Sequence, residues 1–104
     1  MVLQIFTVFD SKAEAFMTPF FMTSKGQAIR AFADIVNDRE SQMHKHPGDY
    51  SLFHLGSFDD SNGAFKTVIP PVSLGLALEF LSYAAPADLT PTPLDKLIEK
   101  ANTE

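Results

Sequence analysis

The dipeptide Asn62-Gly63 constrains this chain more than any other feature of its sequence. Both residues reach positive φ at low cost, as a tight hairpin turn requires, and they separate two β-rich runs, residues 50–58 and 64–69. An antiparallel hairpin in the second half is therefore the first expectation. Pro70 and Pro71 follow at once and read as the end of that hairpin's second strand.

The first half carries a similar hairpin-then-helix pattern. Residues 2–9 are apolar on both alternating faces apart from Gln4 and Thr7, which fits a central strand covered on both sides. Asp10, Ser11 and Lys12 supply a turn, and an extended apolar pattern resumes over residues 13–22, where Pro19 marks a bend or a sheet edge. Ser24 with Gln27 has capping-box spacing, so a helix should begin at Lys25. It would bury Ala28, Ile29, Phe32, Ile35 and Val36 in one stripe. Residues 38–49 are polar and aperiodic, as in a surface loop. Residues 72–83 place Leu74, Ala77, Leu78 and Leu81 at helical spacing and read as a second helix.

The order expected is thus β-β-α-β-β-α in a small single α+β domain with a mainly antiparallel sheet. The compact domain should occupy residues 1–83. Residues 84–104 read as a Pro-rich linker and a short C-terminal helix, on which Leu94, Leu97 and Ile98 form a narrow apolar stripe. About two turns of helix do not stand alone in water, so this one docks on its own domain, docks on a partner or stays frayed, and its stripe is the candidate partner-docking element. A chain of 104 residues with 45% hydrophobic content supports one such core.

Composition also bounds function. The chain has no cysteine, which excludes disulfides and thiolate metal sites and fits a reducing cytoplasm. No apolar stretch approaches the roughly 20 residues that span a bilayer, so no membrane partner is expected. The formal net charge is −5, and residues 59–104 hold three basic against seven acidic side chains. Residues 1–58 hold five against six, so any local positive surface belongs to the first half.

Candidate chemistry is sparse. His44 and His46 flank Lys45, with His54 on the next strand, but their spacing matches no strong zinc signature; the reading is a solvated loop, with a phosphate contact through Arg39 and Lys45 as its functional alternative. Asp59, Asp60 and Asn62 read as turn chemistry rather than a calcium loop. There is no P-loop, nucleophile elbow or thiol nucleophile, and neither an enzyme nor a cofactor or metal is expected. Phe16, Phe20 and Phe21 lie on the second extended run beside Lys12 and Lys25, where exposed rings could stack single-stranded bases. Adjacent Phe20 and Phe21 must point to opposite faces, so one of them needs a cover.

The segments IFTVFDSKAEAFMTPFFMTSKGQAIRAFADIVND and HPGDYSLFHLGSFDDSNGAF resemble the small non-structural protein of gokushoviruses, single-stranded DNA phages of the Microviridae, over roughly residues 3–80. The resemblance implies a phage protein acting in the cytoplasm of the infected bacterial host, absent from the virion and connected with genome replication. It carries over Lys12 in the turn, Lys25 and Arg30 on the first helix, and Lys45 beside HPGDY as nucleic-acid contacts, to which Phe20 is added as a stacking ring. The function expected is a non-catalytic accessory protein that binds single-stranded DNA during replication or packaging. The alternative is a homo-oligomeric assembly factor that contacts phage or host replication proteins without DNA.

Overall fold

The structure, a computed structural model, describes residues 1–82. Five strands form one antiparallel sheet: β1 Val2–Asp10, β2 Ala15–Phe16, β3 Phe20–Met22, β4 Tyr50–Asp59 and β5 Ala64–Leu76. The order is β2-β1-β4-β5, with β3 also paired to β1. The expected second strand is thus two short pieces, separated at Pro19 and both at the sheet edge. The central position read for residues 2–9 holds, because β1 has neighbours on both sides, but the cover expected on both faces does not, because the described helices pack on one face only.

Helix α1, Lys25–Val36, begins where its cap requires, with the Ser24 hydroxyl accepting from the Gln27 N–H at 3.2 Å. The Gln27 side chain closes the box one residue early, accepting from the Thr23 N–H at 3.1 Å and from the Thr23 hydroxyl. Ala28, Phe32 and Val36 are buried, whereas Ile35 is left 44% exposed. The expected loop of residues 38–49 contains a short helix, α2 Gln42–Lys45, and a 3-10 turn, Pro47–Asp49. Met43 anchors it in the core.

The second helix expected over residues 72–83 is not formed. Residues 72–76 continue β5 through Pro70 and Pro71, pairing Val72 with His54 and Leu76 with Ser51. Gly75 at φ 135° cannot belong to a helix, and only a 3-10 turn, Ala77–Phe80, remains. Asn37 holds that turn against the end of α1: its amide donates to the Phe80 carbonyl at 3.0 Å, and its oxygen accepts from the Ser82 N–H at 2.7 Å. The prolines are accommodated because residues 68–71 bulge out of the edge strand opposite Leu55, leaving Ile69 86% exposed. Tyr83, the Pro-rich linker and the helix expected over 94–101, with Leu94, Leu97 and Ile98, lie outside the described residues.

The core lies on one face of the sheet. Phe6, Val8 and Leu52 meet Ala28, Phe32 and Val36 of α1, Met43 of α2 and Ala77. Every buried helical residue described joins this single cluster, so the helical layer covers one side only. No helix described is long and apolar enough to cross a membrane.

Thr7 is the one buried polar residue among the described residues, with no exposed surface, and its hydroxyl donates to the Met17 carbonyl at 2.6 Å. That bond ties β1 to the connector between β2 and β3. Thr7→Val preserves the shape and removes the bond, so the midpoint of urea unfolding should fall by the equivalent of about 1 kcal/mol. An unchanged midpoint would show that the bond from the Met17 N–H to the Val8 carbonyl, at 2.8 Å, holds the connector without it.

Candidate functional site

The uncovered face of the sheet is the site to examine, and strand register shows what it carries. Side chains paired across neighbouring strands share a face. Phe6 and Val8 point to the core, so Leu3, Ile5, Thr7 and Phe9 point away from it. Register then adds Phe16 opposite Phe9, Phe21 opposite Ile5, Phe53 opposite Thr7, Phe58 opposite Leu3, and Phe65 opposite Phe58. Six of the ten phenylalanines therefore stand on the side that no described helix covers.

They form two groups. Phe9, Phe16 and Phe53 pack with centroid separations of 4.8, 5.5 and 6.4 Å, two of the contacts edge to face. Phe58 lies 5.9 Å from Phe21 and 4.7 Å from Phe65. These separations are in the favourable range for aromatic pairs, and Ile5 and Thr7 are buried between the two groups. The outer rings remain open: Phe16 is 51% exposed, Phe21 45% and Phe65 62%.

The face is also uncharged. By register, β5 contributes Phe65, Thr67, Ser73 and Leu76 to it, while Lys66 pairs with Ser57 on the opposite side. None of the residues that register assigns to this face is Asp, Glu, Lys or Arg. A water-exposed surface of this kind, apolar over several strands, is uncommon on a protein that stays alone.

The residues expected to bind nucleic acid are not brought together. Lys12 sits in the β1–β2 turn, Lys25 and Arg30 lie on α1, and Lys45 ends α2. Lys25 and Arg30 are five residues apart, about 140° around the helix. All four are exposed, and the single ion pair among the described residues joins the Met1 amino group to Asp60, so carboxylates do not neutralise them. They are dispersed over the turn and the helical layer.

Phe20 is a correction. It pairs with Phe6, points to the core side and lies 5.9 Å from the Phe6 ring, so the ring on the open face is its neighbour Phe21. Phe20 instead lines an apolar hollow of about 220 Å³ between β1, β3 and α1, with Val8, Met22, Ala31, Phe32 and Ile35.

The histidines are separated as well. His44 contacts the Val36 carbonyl through Nδ1 at 3.0 Å, His54 contacts Gln4 through Nε2 at 2.9 Å, and His46 is exposed at the end of α2. Among the described residues no three metal-binding side chains come together. Asp59 does turn chemistry: its carboxylate accepts from the Ser61 N–H and hydroxyl at 3.0 and 2.6 Å, and these bonds hold its pKa below the usual carboxylate value. Arg39 is exposed in the loop before α2.

Sequence reading missed Phe9, Phe53, Phe58 and Phe65 as members of one surface. The available signal was the alternation along β4, and it misleads. Phe53 and Phe58 are five residues apart, so strict alternation sends them to opposite faces; the bulge at Leu55 restores them to the same one.

A model of the family described as phage ORF5 protein matches residues 3–80, the same span on which the gokushovirus resemblance rests. Protein ORF5 of Chlamydia phage 1 is 33% identical over 67 residues, which cover 61% of this chain and 70% of that protein. No solved structure matches the chain.

Proposed function

Because the chain belongs to the phage ORF5 protein family, and is thus a small phage protein, we propose that it acts in the infected host without turnover, by laying its phenylalanine face against another protein. The observation that carries this reading is the pairing of six rings with a complete lack of charge on the open side of the sheet. Apolar rings with no cation among them match an apolar protein surface, whose burial is driven by removal from water. They match a phosphate backbone poorly, since affinity for nucleic acid comes largely from Lys and Arg displacing counterions.

Single-stranded DNA is the second reading, and one observation favours it. Phe16, Phe21 and Phe65 present open rings on a sheet, the arrangement on which bases stack. Lys12 before Phe16, Lys25 after Phe21 and Lys66 beside Phe65 would be the nearest cations along the chain.

Salt separates the two. A labelled single-stranded oligonucleotide titrated at about 50 mM and about 200 mM salt should show no saturable binding at either. Binding that weakens steeply with salt, and that Phe16→Ser with Phe65→Ser abolishes, would replace the protein-contact reading with the DNA one.

A further inference from the structure

We infer that the partner on the phenylalanine face is a second copy of this chain, packed sheet against sheet about a two-fold axis. The inference rests on the protein-contact reading above and adds to it the identity of the partner.

Charge is the first argument. The whole chain carries a formal net charge of −5, so two copies repel wherever their charged surfaces approach. The open face bears no charge of either sign and is therefore complementary to itself, the condition that an isologous two-fold interface imposes.

The second argument is the way the sheet edges are finished. A strand edge can also join copies, by continuing the ladder. Here β5 is interrupted by the outward excursion of residues 68–71, in which Pro70 and Pro71 offer no N–H. The opposite edge is split into β2 and β3 around Pro19. Both edges are protected against ladder growth, and the face is not.

Geometry gives the orientation. One aromatic group sits near Phe9 and the other opposite Leu3 and Ile5, about 15 Å apart along β1. A two-fold axis passing between them, near Thr7 and Ile5, lays each group of one copy on the other group of its partner. Two sheets packed in this way stand about 10 Å apart with interdigitating side chains. Phe16, Phe21 and Phe65, at 51%, 45% and 62% exposure, together contribute roughly 300 Å² of open surface. Leu3, Phe9, Phe53, Phe58 and Leu76 extend the same surface toward the roughly 800 Å² per partner of a standard interface.

Sedimentation velocity on the full chain over about 1 to about 200 μM tests this directly. The expected species has twice the monomer mass and persists at high salt, because apolar contacts are not screened. Phe16→Ser with Phe65→Ser should raise the dissociation constant at least tenfold while leaving the circular dichroism spectrum and melting temperature of the monomer unchanged, since both positions are exposed. The chain lacks cysteine, so Phe16→Cys and Phe65→Cys each introduce a unique thiol. Under mild oxidation a mixture of the two single variants should cross-link to each other in preference to either alone, as expected when each aromatic group lies on the other group of its partner.

A monomer at every concentration, or a dimer that the double serine variant leaves intact, overturns the inference. In the monomer case an apolar dye decides the fate of the broader reading. Fluorescence enhancement by the full chain that is lost in the double serine variant leaves the face available to a different protein, and no enhancement removes the protein-contact reading too.

Discussion

Gly56→Ala should cost about 4 kcal/mol or more, enough to remove most of the stability of a domain this size. Gly56 lies in β4 at φ 154°, a backbone region that residues with a Cβ rarely enter. A Cβ built there would stand 2.0 Å from the Lys66 carbonyl oxygen and 3.0 Å from the Thr67 Cα. Those atoms belong to the paired backbone of β5, not to the end of a flexible side chain, so relief requires separating the two strands. The site is also where β4 resumes its pairing after the Leu55 bulge, with Ile5 on one side and Thr67 on the other. Gly63→Ala is the control. Gly63 has a positive φ of 74° in the hairpin turn but open space where its Cβ would go, so only backbone strain is added, about 1 kcal/mol. Denaturant midpoints of the two variants should differ several-fold in their displacement from the parent. Equal displacements would show that β4 and β5 do not approach as closely as described.

The same bulge explains which parts of the molecule were legible in the sequence. Local signals succeeded where the chemistry is local: a hairpin turn joins β4 to β5 where Asn62-Gly63 stands, although it spans residues 60–63 and only Gly63 takes positive φ, and Ser24 with Gln27 starts α1 at Lys25. They failed where a backbone irregularity resets the period. Leu74, Ala77 and Leu81 have helical spacing, yet Leu74 faces the core as the extra residue between the Leu52–Gly75 and Phe53–Ser73 pairs, and Ala77 reaches it from a 3-10 turn. Pro70 and Pro71 look like a strand end because proline cannot join a ladder; an edge strand that bulges outward at that point avoids the conflict.

Site residues followed the same division. Sequence reading recognised that Phe20 and Phe21 cannot both be core but placed the stacking role on Phe20, because alternation gives relative faces and not absolute ones. The absolute assignment depends on pairing with β1, which sets Phe20 beside Phe6 and Phe21 beside Ile5. Nearness in the chain likewise suggested one basic surface, whereas α1 turns Lys25 and Arg30 apart and the turn carries Lys12 elsewhere. The uncharged character of the opposite face is a property of the sheet as a whole. No window along the chain displays it.

Phe32→Ala should be the counterpart on the covered side, destabilising by about 3–5 kcal/mol. Phe32 is 2% exposed at the centre of α1, with its ring 5.5 Å from Phe80 and edge to face with it. It joins the only long helix described to both β1 and the 3-10 turn after β5, and the apolar hollow it already lines with Val8 and Ile35 would enlarge when the ring is removed. The neighbours cannot close the gap, because Val36, Phe6 and Leu52 are themselves fully buried and fixed by strand and helix backbone. Phe65→Ala provides the comparison, since the same ring is 62% exposed on the open face and its loss should shift monomer stability by no more than about 0.5 kcal/mol. Paired thermal melts at a concentration below dimerisation would measure both. A large loss for Phe32 with almost none for Phe65 separates the phenylalanines that hold the fold from those free to hold something else. Comparable losses would mean that the open face is part of the folding core, and the case for a partner there would fail.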